Sequence, residues 1–265
     1  MRGLNLLRRY WAGELGSRNP ILLANAARLD RERIAMLARV SGWREDEARA
    51  VIREIEHDAA FLDPLREGLS AGTDYRPQQA DFRLFNRWGS MFFFPVALYA
   101  LVRLLRPEVV VETGGTPGKS SAFILRALAR NDSGRLITID LPPRPTAADV
   151  PVAAGKFHES LPPGQGAGWI VPAALKSRQA LKLGKSVDLL LPALDEAGGA
   201  DLFIHDSDHS YENMLWEFET VWPRLRSGGV LFSDDIISNS AFDDFCRGRG
   251  LNCERLVNVG MIRKR

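Results

Sequence analysis

Four short runs of β-branched and other apolar residues, VVVE (109–112), LITID (136–140), DLFIH (201–205) and GVLFS (229–233), recur in the second half of the chain with helical patterns between them. They lack polar alternation, as strands buried on both faces do. Such strands, separated by helices, pair into a parallel sheet covered on both sides, and sheets of that kind bind ligands at the carboxyl ends of their strands. The expected fold class is therefore α/β, with a doubly wound, mostly parallel sheet. One intervening helix shows its period in Met214, Phe218, Val221 and Leu225, and Gly228 and Gly229 are expected to end it.

Upstream the pattern is helical. Ile34, Leu37 and Val40, then Ala48, Val51, Ile52 and Ile55, recur at three- and four-residue steps, and Glu45, Asp46 and Glu47 suit the first turn of a helix. The run MFFFPVALYALV (91–102) contains Pro95 and is far short of the ~20 residues that span a bilayer, so it predicts a buried helix. Residues 71–90 are polar and form a linker. The expected division is a helical subdomain over 1–85 and a ligand-binding domain over 86–265. Residues 142–172, rich in Pro, Gly and Ala, predict a long loop over one sheet edge.

Charge narrows the classes of partner. The 35 basic and 33 acidic residues are interspersed, so no basic stripe offers a track for nucleic-acid phosphates. Two helices flanking SGW (41–43) resemble a helix-turn-helix in outline, but Glu45, Asp46, Glu47, Glu54 and Glu56 would repel a phosphate backbone. A helical cap or a self-association arm is the expectation, with a homo-oligomer as its consequence. No secretory pattern follows Arg2, Arg8 and Arg9, and Cys246 and Cys253 suggest neither a disulfide framework nor a zinc site. A reducing cytoplasm and a small-molecule substrate, with neither membrane nor nucleic acid, fit this composition.

The segment VVVETGGTPGKSS (109–121) carries the most chemistry. A strand ending in Glu112 enters a turn containing Gly114, Gly115 and Gly118, where a ligand can lie against bare backbone and face the amides of the next helix. An acid two residues before the first glycine would repel a pyrophosphate and favours a cationic ligand. Asp140 ends the next strand, 22 residues beyond Gly118, where a carboxylate can accept hydrogen bonds from both hydroxyls of a ribose. An adenosine-like ribose with a positively charged tail describes S-adenosylmethionine.

At these residues the chain resembles the class I S-adenosylmethionine-dependent methyltransferases. The first motif of their catechol-type O-methyltransferases, E-x-G-x-x-x-G-x-S, is matched by Glu112, Gly114, Gly118 and Ser120, Asp140 matches the ribose-binding acid, and Ser186 in GKS matches a residue near the adenine. The segment 203–235 is similar to a bacterial branch of that family found beside sugar and natural-product genes. The resemblance covers roughly residue 90 to the C-terminus. It implies the seven-stranded methyltransferase sheet, closed by a hairpin from CERLVNV (253–259) and MIRKR (261–265), and a magnesium ion bound by Asp206, Asp234 and Asp235. Asp235 stands where the family has Asn. Chemistry agrees, because three acids at the ends of adjacent strands repel one another without a cation or protons, and hard divalent cations want such oxygens. Capping of the following turn is the plainer role for Asp234 and Asp235.

Among the histidines, His57 and His158 have no assigned role, and His205, ending an apolar strand, is expected to be packed and hydrogen-bonded. His209 follows Asp206 by three positions, where catechol-type enzymes carry a lysine base. An imidazole there suits proton removal near neutral pH, with metal ligation as the alternative. Phe85, Trp88 and Phe92 to Phe94 are expected either to cover a ligand or to pack in a helix core. The expected reaction is methyl transfer from S-adenosylmethionine to a hydroxyl, with His209 and Asp206 catalytic. Methylation of nitrogen, a nicotinamide-dependent dehydrogenase and a noncatalytic adenosine-binding protein are the rivals.

Overall fold

The computed structural model describes residues 20–72, 93–142 and 165–265, with the side chains of 20–26 and 70–72 left undescribed. Most of the 71–90 linker and of the 142–172 loop, together with Phe85, Trp88, Phe92 and His158, lies outside the described residues. The chain divides into a helical unit ending at Leu105 and a sheet unit beginning at Arg106.

The helical unit contains α1 (Pro20–Ser41), α2 (Glu45–Glu56), α3 (Ala59–Gly72) and α4 (Phe93–Leu105). Ile34, Leu37, Val40, Ala48, Ile52 and Ile55 are buried, as their spacing predicts. Pro95 sits in the first turn of α4, where a missing N–H breaks no helical hydrogen bond. The acids of α2 act inside this unit. Arg33, 1% exposed, pairs with Asp30 at 2.6 Å and Glu56 at 3.4 Å. Glu54 accepts from Arg103 Nη2 at 3.1 Å and from the Tyr99 hydroxyl.

The sheet unit contains β1 (Val109–Thr113), α5 (Lys119–Asn131), β2 (Arg135–Asp140), β3 (Gln179–Leu183), α6 (Ser186–Ala197), β4 (Ala200–His205), α7 (Tyr211–Val221), β5 (Leu225–Ser233), α8 (Ala241–Gly248), β6 (Glu254–Leu256) and β7 (Val259–Arg263). The strands form one seven-stranded sheet in the order β3-β2-β1-β4-β5-β7-β6. β7 runs antiparallel to β5 and β6, and the strand pairs from β3 through β5 are parallel. Every residue of β1 is buried. The four expected strands and the terminal hairpin are present.

Three details differ from the sequence expectation. The helix carrying Met214, Phe218 and Val221 stops at Val221, a 3-10 turn follows over Trp222–Arg224, and Leu225 already belongs to β5. Pro223 cannot continue an α-helix, having no N–H and a ring that clashes with the preceding turn. Gly228 and Gly229 therefore lie within β5, where the pairing with β4 shifts between Ala200 and Leu202 and the strand bulges. The short edge strand β3 has no apolar run, because Leu181 and Leu183 are 40% and 50% exposed and polar residues alternate with them. Finally, Cys246 and Cys253 are bonded as a disulfide between α8 and the residue before β6, with Cα atoms 6.6 Å apart. They are seven residues apart in sequence, and folding of the connection brings them together.

Phe218 lies at the centre of the core on one side of the sheet, its ring edge-on to His205 at 5.5 Å, Phe245 at 5.5 Å and Phe242 at 6.1 Å. Phe218→Ala should lower stability by about 3–5 kcal/mol in denaturant unfolding, through lost burial plus the cavity it leaves.

Candidate active site

The loop after β1 is shaped by backbone contacts that only glycine permits. Gly114 has φ +79°, and a Cβ there would lie 1.9 Å from the carbonyl oxygen of Asp206, so the loops after β1 and β4 touch through bare backbone. Gly115 is equally confined, since a Cβ would meet Thr138 Cγ2 at 2.4 Å. Gly118, φ +103°, is the N-cap of α5 and abuts Gly168.

Two acids tie this loop down. Glu112 is fully buried and accepts from Ser120 Oγ at 2.5 Å, from Thr138 Oγ1 at 3.0 Å and from the Ser121 hydroxyl. Burial pushes its carboxyl pKa up, and the three hydroxyls work against that shift. Glu112 thus lies beneath the glycine turn, holding Ser120 and Ser121, and its contacts are with the protein. Asp140, half-buried, accepts from Gly115 N at 3.1 Å, Thr116 Oγ1 at 2.5 Å and Leu141 N at 2.7 Å. A carboxylate has about four acceptor positions, so these bonds leave capacity for a further donor.

The second cluster follows β4 and β5. The Asp206 amide donates to Thr113 O at 2.9 Å and the Asp234 amide to His205 O at 2.9 Å, which extends the parallel ladder one residue past each strand and sets the two acids side by side. Asp206, His209 and Asp234 each offer one ligand atom, all within 4.8 Å of one another. His209 Nε2 is 3.8 Å from Asp206 Oδ1, and Nδ1 is 3.9 Å from Asp235 Oδ2. Asp235, with φ +47°, is outside this group of three, and one of its oxygens accepts from Asn258 Nδ2 at 2.6 Å. The same nitrogen donates to Asp234 Oδ1 at 3.1 Å. The family resemblance implies a set of three acids, and the geometry gathers two acids and the histidine.

Titration reflects this crowding. Removal from solvent and then the Asp234 charge raise Asp206 well above the usual carboxylate range. Asp234 is pushed up to about 6 by burial and by Asp235, with Lys119 acting in the opposite direction. His209 is lowered by burial and then by His205, against Asp235 and Asp208, so its neutral form is favoured near pH 7.

Beneath the cluster lies a polar network in which sequence reasoning missed the central member. Glu217, 0% exposed, accepts from Thr113 Oγ1 at 2.6 Å, Ser207 Oγ at 2.8 Å and Asn213 Nδ2 at 3.3 Å, and contacts His205 Nδ1 at 2.7 Å. Burial opposes its charge, but His205 and the hydrogen bonds hold its pKa below the usual value. His205 is packed and hydrogen-bonded as expected. Ser186 opens α6 and donates to Asn213 Oδ1 at 3.4 Å, which places it at the edge of this network. The available signal was an acid at a core position, since 214, 217, 218 and 221 form one helical stripe.

Residues 111–236 match the family model described as a methyltransferase domain. The segment from β1 to just past β5 is thus similar to methyltransferase domains. No curated protein matches the sequence significantly. Among solved structures, this chain resembles an O-methyltransferase of Streptomyces achromogenes involved in tomaymycin synthesis, in complex with S-adenosylmethionine. The TM-score is 0.52 at 17% identity, over 77% of this chain and 90% of that one. A Podospora anserina methyltransferase bound to S-adenosylhomocysteine is similar at TM-score 0.52 and 13% identity, over 77% and 88% of the two chains.

Two outcomes follow from the electrostatics of the site. Glu217→Ala should cost about 3–5 kcal/mol in denaturant unfolding, because Thr113, Ser207, Asn213 and His205 all lose their buried partner at once. Asp234 has a folded pKa above its unfolded one, so its ionisation opposes folding above pH 6 and that penalty fades as pH falls toward 4. Asp234→Asn should therefore raise Tm at pH 8 and leave it nearly unchanged at pH 4, as read by thermal melts across that range.

Proposed function

We propose that this protein transfers the methyl group of S-adenosylmethionine to a hydroxyl oxygen of a small molecule, a sugar, phenol or natural product, with a divalent cation held beside the methyl donor. The observation that carries the reading is the convergence of Asp206, His209 and Asp234 at the carboxyl ends of β4 and β5, against the glycine loop that follows β1. The methyl donor is assigned to Gly114, Gly115, Gly118 and Ser120, with Glu112 ordering that loop, Asp140 toward the ribose and Ser186 toward the adenine. The preference for oxygen is supported by the Streptomyces O-methyltransferase, and self-association through the helical unit belongs to the same reading.

The residues present fit a cation. Two carboxylates approach each other with too little compensating charge, and His209 Nε2 is buried with no hydrogen-bond partner among the described residues. Asp206, Asp234 and His209 would hold the ion, and Asp235, standing where the family has Asn, adds a third acid beside them. When bound, such an ion acts as a Lewis acid that lowers the pKa of a hydroxyl it binds. The chain's own part is alignment, because the in-line displacement releases S-adenosylhomocysteine and depends on how the reacting atoms are held. A second reading keeps His209 as the general base, on the observation that its Nε2 has no hydrogen-bond partner among the described residues.

Calorimetry with S-adenosylmethionine and with NAD, followed by a product screen over sugars, phenols and amines with and without chelator, tests both readings. Binding of S-adenosylmethionine and methylation of a hydroxyl that stops on chelation support the cation. Turnover unchanged by chelation but lowered roughly 10²–10⁴-fold in His209→Ala, with cofactor affinity intact, supports the base. Heat from NAD alone overturns the proposal.

A further inference from the structure

Asp235 differs from the other two acids of the cluster in what holds it. It lies outside the group whose ligand atoms converge, its backbone is in the left-handed region at φ +47°, and Asn258 Nδ2 fixes its Oδ1 at 2.6 Å. Asn258 comes from the turn between β6 and β7, and that turn is itself tied to the site, because the amide of Ile236 donates to Asn258 O at 2.8 Å. The other oxygen of Asp235 lies 3.9 Å from His209 Nδ1, an electrostatic approach longer than a hydrogen bond, and the opposite ring nitrogen, Nε2, faces Asp206 at 3.8 Å with no hydrogen-bond partner among the described residues. A metal-bound histidine usually gives its second ring N–H to a carboxylate, which fixes the tautomer and the ring plane. The order of residues here, amide to carboxylate to imidazole to a pair of carboxylates, is the layout of such a relay.

We propose that Asp235 is a positioning residue, anchored by Asn258, that orients His209 so that Nε2 joins Asp206 and Asp234 as a nitrogen ligand. This rests on the cation reading given above. It changes which cation the site takes. Three carboxylates form an all-oxygen set suited to magnesium, whereas two carboxylates and an imidazole suit a transition cation such as manganese, since imidazole nitrogen is a poor ligand for magnesium and a good one for the first-row metals. The acid at position 235 is then more than a substitute for the family's Asn. At 3.9 Å its charge favours a proton on Nδ1 by electrostatic attraction, which a neutral amide at the same place would do more weakly.

The test uses the full-length protein and the metals alone. Manganese is titrated by calorimetry and examined by electron spin-echo spectroscopy, which detects a directly bound imidazole nitrogen, and magnesium is titrated in parallel. Expected are manganese binding at least tenfold tighter than magnesium and a nitrogen signature that disappears in His209→Gln. Asn258→Ala and Asp235→Ala should each weaken manganese binding by about 10–100-fold, the usual effect of removing a partner behind a ligand. Both should leave affinity for S-adenosylhomocysteine unchanged, which shows that they fold. Manganese bound in the wild-type protein without a nitrogen signature would overturn the proposal and leave the cation reading standing. Failure of manganese and magnesium alike to bind would overturn the cation reading, and this inference with it. The wild-type spectrum decides the point even if a variant does not fold.

Discussion

The site stands on one buried carboxylate. Glu217 is enclosed by protein and keeps its charge because Thr113, Ser207, Asn213 and His205 converge on it. An isolated carboxylate in such a place would be far too costly to keep ionised, so the network is stable only when complete. Its partners come from the end of β1, the end of β4, the loop after β4 and the start of α7. One residue thereby fixes the relative positions of the elements that present the glycine loop, Asp206 and His209. The aromatic core around Phe218, one residue along the same helix, shields it from water.

Above that layer the structure holds charge under strain of another kind. Asp206, Asp234 and Asp235 are brought together by the regular spacing of a parallel sheet, and burial, then their mutual repulsion, raises the first two pKa values. Such an arrangement costs stability. Sites that bind cations or reacting groups commonly keep that cost, because the field that opposes folding is the field that attracts the ligand. A hydrogen bond from Asn258 and the charge of Lys119 relieve part of the repulsion. Glu112 and Asp140 show the contrasting case, in which an acid's oxygens meet hydroxyl and amide donors and organise a loop.

Much of this architecture is legible in the chain. The four β-branched runs announce four parallel strands, and the glycines and acids after them mark the strand ends where chemistry gathers. Boundaries are less legible. Pro223 ended a helix whose apolar stripe continued to Leu225, and β3, half exposed at the sheet edge, had no hydrophobic signature to find. Glu217 was hidden because an acid on a helix is normally on its wet face, and only the packing of four donors around it reveals otherwise.

Residue identity alone decided the fold class, the glycine turn and the presence of several acids near the sheet's carboxyl edge, because those depend on local steric freedom and on the period of apolar residues. Which acid does what was decided by tertiary structure. Glu112 faces inward to hydroxyls, Asp235 is turned toward Asn258, and His209 comes to lie between Asp206 and Asp235. Asn258 is 23 residues from Asp235, and Glu217 is 104 from Thr113. The reason is physical: a carboxylate's role is set by the donors and charges within a few ångströms, and those arrive from strands distant in sequence only when the sheet closes.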